Sequence, residues 1–279
     1  MLLQLFNELE WGGYIKIQKR KLKRIIALSI LFIVVFGIIL QFMRYFMANK
    51  LVNAIEKNDT KKVESLLKSG VNPNVGTLPD YGIHRVFRIM TETSPQYPLA
   101  EACRQGNYEI VKLLIDHGAK VDFSKKEVWS PLWKAIQRYK PDTIPIVKLL
   151  LENGADIYHE EGGEFPAQIA SQMRPKKYDP ERKNGTVFED GYDEETAQGI
   201  TEVVKLLIGD NDINEPAYCG RTMLMWAAFY ENIPLTEYLL SIGANKSIKN
   251  HYDGKTAYDY AIDNDNQKLA ELLKPSAEI

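Results

Sequence analysis

A chain of 279 residues with 45% hydrophobic and 26% charged content is ordinary for a globular protein and long enough for one or two domains. Its formal net charge of −2 hides an asymmetry: only two of the 37 acids but seven of the 35 basic residues lie at or before Arg44, which leaves 28 basic and 35 acidic residues beyond it, a net of about −7. A basic head on a mildly acidic body argues against a nucleic-acid-binding body, which would need clustered Lys and Arg; the two cysteines, Cys103 and Cys219, are too far apart for a paired metal site and read as free thiols.

Residues 1–24 form a basic tail. Residues 25–43 carry no charge, and only Ser29 and Gln41 among them are polar. A helix of that length rises roughly 28 Å, close to the hydrocarbon thickness of a bilayer, so the segment is predicted to be a transmembrane helix. A cleaved signal peptide is the competitor; the apolar core is long for one, and Phe46 stands where a cleavage site wants a small residue. The six basic residues shortly before the span predict a cytoplasmic N-terminus and a translocated body, in the periplasm if the source is a Gram-negative bacterium.

The body repeats a pattern. A small residue is followed by a β-branched or apolar one, then a Leu pair, then Gly-Ala, as in Ala102, Val111, Leu113-Leu114 and Gly118-Ala119. The Val111 column runs Val63, Val111, Val147, Val204, Thr236 and Ala270, with spacings of 48, 36, 57, 32 and 34. Small residues let helices approach closely, and Gly after the second helix suits a left-handed cap. Pro98-Leu99, Pro131-Leu132 and Thr222-Met223-Leu224 suit a first helical turn.

On these residues the body resembles ankyrin repeats, whose unit is about 33 residues, a β-turn and two antiparallel helices. The resemblance implies an all-α fold: an N-terminal transmembrane helix followed by a solenoid of about six helix-pair units over 49–279. The units fall at about 49–75, 94–123, 129–157, 163–214, 218–249 and 253–275. Surplus residues map to inserted loops at about 76–93 and 172–196, with three more near Pro141 and Pro145. Unit four lacks the usual Gly, and Asn211 is expected to take the left-handed position.

No Walker-type loop, H-E-x-x-H, G-x-S-x-G or Cys/His zinc spacing is present, so neither catalytic, metal nor cofactor-binding residues are expected, and the protein is not expected to be an enzyme. The four histidines are scattered. The family resemblance implies protein partners bound through loop tips and first helices, with no nucleic acid or small-molecule substrate. On this chain that points to Trp129, Tyr158, His159, Tyr218, Arg221 and Tyr252 at the tips. Tyr81, His84, Arg85, Phe87 and Arg88 join them from the first inserted loop, which is too apolar for a linker. Trp133 and Trp226 are expected in the core. Anchored envelope proteins of this type suggest immunity against a secreted toxin; the alternative is a tethering or assembly factor for an envelope enzyme or complex.

Overall fold

The computed structural model describes residues 2–77, 96–122, 129–160, 162–176 and 192–275, with side chains from residue 22 onward. The chain divides into two compact units, Met1–Met47 and Ala48–Ile279. Helix α1, Leu2–Glu56, runs through the first and supplies the opening turns of the second. One stretch of it, Leu22–Glu56, is long and apolar enough to cross a membrane by length and composition, a test that a signal sequence also passes. Its apolar side chains, among them Phe32, Ile33 and Phe42, are exposed, so they form no protein core of their own.

The second unit is built of helix pairs. After the end of α1 come α2 (Thr60–Lys68), α3 (Pro98–Gln105), α4 (Tyr108–Asp116), α5 (Pro131–Ile136), α6 (Thr143–Glu152), α7 (Pro166–Ser171), α8 (Glu194–Leu207), α9 (Met223–Phe229), α10 (Ile233–Ser241), α11 (Ala257–Asp263) and α12 (Gln267–Leu273). Two rows of stacked helices result. First helices α3, α5, α7, α9 and α11 pack each on the next, and second helices α2, α4, α6, α8, α10 and α12 do the same. Each pair alone has one apolar face, and stacking buries it against its neighbour.

The core follows the repeated columns. Ala102, Ala170, Ala227 and Ala261 are fully buried, as are Val63, Val111, Val147 and Val204. Thr236 takes the same place without strain because its hydroxyl donates to the Asn232 carbonyl at 2.9 Å. In unit one both Leu66 and Leu67 are buried; in units two to five the Leu pairs divide: Leu114, Leu150, Leu207 and Leu239 are fully buried, whereas Leu113, Leu149, Leu206 and Leu240 are half-buried. Neighbours on a helix point about 100° apart, so one of two adjacent leucines leaves the buried stripe.

Caps set the ends. Second helices start at Asp59, Asn107, Asn232 and Asn266, whose side chains accept the amides of Lys62, Ile110, Leu235 and Leu269 at 2.9–3.1 Å. In each case the preceding residue (Asn58, Gly106, Glu231, Asp265) is left-handed, so units one, two, five and six share one turn. Units three and four depart from it where they carry surplus residues. In unit four, α7 ends at Ser171 and α8 begins at Glu194, and the helix starts seven residues before the usual position, about two turns early. The left-handed residue after α8 is Gly209, φ +47°, not the expected Asn211. Gly takes that conformation without a Cβ penalty, which explains the choice over an Asn further along the chain.

Between units, Asn74 accepts from the Lys120 amide and donates to the Gly118 carbonyl, both at 2.8 Å. Asn214 accepts the Asn245 amide at 2.8 Å in the same manner. These bonds hold successive turns in register.

Candidate protein-binding surface

The segments that return from α6, α8 and α10 to the next first helix end in tight turns. Trp129 stacks on Trp133 with ring centroids 4.0 Å apart, and reaches the turn of the next unit, where a Cβ at Gly162 would lie 3.5 Å from its ring. Trp133 is therefore half-buried beneath Trp129 and departs from the expected core position, whereas Trp226 is buried. Two turns on, Tyr218 is 79% exposed and Tyr252 68%. The Tyr252 hydroxyl donates to the Tyr218 carbonyl at 3.5 Å, and the His251 ring lies against Tyr252 at 4.1 Å. Asn250 holds that turn from inside, accepting the Tyr252 amide and donating to the Tyr260 hydroxyl, both at 3.0 Å. Trp129, Tyr218 and Tyr252 thus mark turn regions along one edge.

Tyr158 and His159 lie earlier in their segment, both exposed. Tyr158 is a cross-unit prop: its hydroxyl accepts the Asp210 amide at 3.3 Å and sits over Gly209. Tyr81, His84, Arg85, Phe87 and Arg88 lie outside the described residues, as do most of the first inserted loop and the middle of the second.

Arg221 sits at the base of the Tyr218 turn, and its guanidinium is engaged within the chain. Its carbon lies 4.5 Å from the Phe229 ring centroid, 4.6 Å from Trp226 and 5.0 Å from Tyr260, and its Nε donates to the Tyr260 hydroxyl at 3.2 Å. That hydroxyl donates in turn to Asp253 at 2.8 Å. The Lys255 amide and the Tyr260 hydroxyl both donate to Asp253 and hold its carboxyl below the usual range. On the other side Trp226 stacks on Tyr230 at 5.5 Å, and the Arg174 guanidinium lies 5.4 Å from the Tyr230 centroid. A ladder of cations and rings, Arg174–Tyr230–Trp226–Arg221–Tyr260, therefore crosses units four to six. Trp226 Nε1 is buried with no hydrogen-bond partner among the described residues.

Beside the ladder a cleft of about 350 Å³ is lined by Arg174, Lys176, Tyr192, Phe229, Tyr230 and Glu231. Burial and a hydrogen bond to Glu194 push the Tyr192 phenol up, so it stays protonated. Further along the same row Lys134 lies over Trp133 at 5.3 Å, and Arg104 forms a bidentate pair with buried Glu101 at 2.6 and 2.8 Å. Lys140 donates to the Arg104 carbonyl; burial, with Arg104 and Arg138 nearby, lowers its ammonium to about 8.

Arg174, Tyr192, Phe229 and Tyr230 were not among the residues singled out by sequence. Trp226, Phe229 and Tyr230 do stand at i, i+3 and i+4, a helical aromatic stripe, but such a stripe reads equally as core. Arg174 and Tyr192 lie near the two ends of the inserted segment, and no spacing signals that the fold returns them to one cleft.

Two rows of short helix pairs with projecting turns define an ankyrin-type solenoid. A profile described as "Ankyrin repeats (3 copies)" matches residues 51–161 and 196–279. The chain belongs to the ankyrin-repeat family, and its repeats form a protein–protein binding module. A stretch of 65 residues is 40% identical to a segment of Alpha-latrotoxin-Lh1a of Latrodectus hasselti; it amounts to 23% of this chain and 5% of that protein.

Proposed function

We propose that this protein is a membrane-anchored capture module, held by residues 25–43, that binds a protein partner in the bacterial periplasm and performs no catalysis itself. The basic residues ahead of the span support a cytoplasmic N-terminus. The observation that carries the binding reading is the pair of exposed tyrosines, Tyr218 and Tyr252, on turns bonded to one another. Rigid exposed aromatics lose little entropy on binding and are the usual anchors of protein interfaces. Such a preordered edge suits tight occlusion of a partner, as an immunity protein against a secreted toxin requires.

The test is purification of the tagged full-length chain from detergent-solubilised membranes of the source organism, with Tyr218→Ala/Tyr252→Ala in parallel. One toxin-like partner recovered in near-equal amount, and lost with the double variant, supports immunity. Recovery of resident envelope proteins moves the role to tethering, and cytoplasmic partners reverse the topology.

A further inference from the structure

We infer that the cleft beside the cation–ring ladder takes an acidic, extended segment of a partner protein, one carboxylate entering between Arg174 and Lys176 while a neighbouring apolar side chain rests on Phe229. This deepens the capture reading above and rests on it.

Charge complementarity carries the inference. The body has a net of about −7, yet the charged residues that line the cleft are two cations, Arg174 and Lys176, against one carboxylate, Glu231. Glu231 at the cleft wall accepts from Asn266 Nδ2 at 3.0 Å, which turns it toward the last unit. Among the described residues no carboxylate pairs with Arg174. Its guanidinium lies against Tyr230, which fixes its position and leaves its N–H groups for an anion. Phe229, 38% exposed, supplies the apolar floor. About 350 Å³ accommodates one or two side chains of a peptide. A flat anionic membrane surface fits less well, since both cations line a cleft and Arg174 lies against the Tyr230 ring.

The experiment measures binding of the full-length chain in detergent micelles to two labelled peptides, one of Glu-Phe-Gly repeats and one of Gln-Phe-Gly repeats, at physiological ionic strength. Saturable binding of the Glu peptide, weakened at least about tenfold by Arg174→Glu and unchanged by Lys268→Glu on α12, is the expected result. Arg174→Gln, with an intermediate loss and an unchanged thermal transition, guards against misfolding. Equal binding of both peptides, equal effects of the two charge reversals, or binding of phosphatidylserine vesicles in place of the peptide would overturn the inference. So would peptide binding that appears only when residues 177–191 are replaced by a Gly-Ser linker, which would assign the cleft to the chain's own insertion. A native partner retained by Arg174→Glu but lost by Tyr218→Ala/Tyr252→Ala would sink the acidic-segment assignment and leave capture standing.

Discussion

Cys103 and Cys219 occupy opposite environments. Cys103 is 2% exposed in α3, and burial drives its thiol well above the ordinary range, while Cys219 lies half-buried in a turn. A thiol reagent at pH 8 is therefore expected to label Cys219 in the folded chain and Cys103 only after unfolding, read by mass spectrometry. The same burial has a pH consequence. Above the ordinary thiol pKa of about 8.5 the unfolded chain releases the Cys103 proton while the folded chain keeps it, so this group's contribution to stability falls as pH rises. Denaturant midpoints at pH 7 and pH 10 should show a smaller loss in Cys103→Ala than in the parent. At the tip edge, Gly220 has φ +76°, and a Cβ there would lie 2.5 Å from Asn250 Oδ1 and 2.8 Å from the His251 ring. Gly220→Ala is expected to destabilise by about 1–2 kcal/mol and to loosen the Tyr218–Tyr252 contact, seen as faster amide exchange at 250–254. The exposed candidates Trp129, Tyr218 and Tyr252 were legible as residues because turn chemistry marks tips. Arg221 was legible as a tip residue but not as the centre of a ring box, because Trp226, Phe229 and Tyr260 come from two helices of different units.

At the level of elements, column and spacing located the helix pairs, and the structure altered them where residues were added. Some of the surplus in unit four is taken up as extra turns of α8, capped by Asp193, whose carboxylate accepts the Thr196 amide at 2.8 Å. Gly199 in that extension lies under the Tyr139 ring from unit three, so the added turns are held by a neighbouring unit as well as by their cap. Asp193→Ala should cost about 1 kcal/mol and raise exchange over 194–200 while leaving α12 unchanged. Polar composition made this region read as loop; a helix there depends on tertiary packing, which composition does not report.

Across the whole repeat domain, stability is a sum of units and the interfaces between neighbours. Leu150 and Leu269 are both fully buried, one in a central unit and one in the last. Each truncation to Ala removes comparable packing, about 2–5 kcal/mol, but the consequences should differ. Leu150→Ala is expected to lower the main unfolding transition or split it, and Leu269→Ala to fray only the final pair, distinguished by hydrogen exchange along the chain. Under the proposed anchoring by residues 25–43, Ile33→Arg places a charge in the middle of the apolar stretch, at a cost of about 2.5–3.5 kcal/mol for insertion, and is expected to reduce the carbonate-resistant membrane fraction. Sequence by itself determined the helix pairs, the family and the apolar N-terminal stretch, because periodicity, small-residue columns and charge-free length are local properties of the chain. Only the tertiary structure decided which leucine is the buried one in units two to five, that Gly209 and not Asn211 turns left-handed after α8, and that Arg174, Tyr192 and Tyr230 meet in one cleft. Those outcomes depend on the rotation of each helix and on contacts between units, and no single segment encodes them.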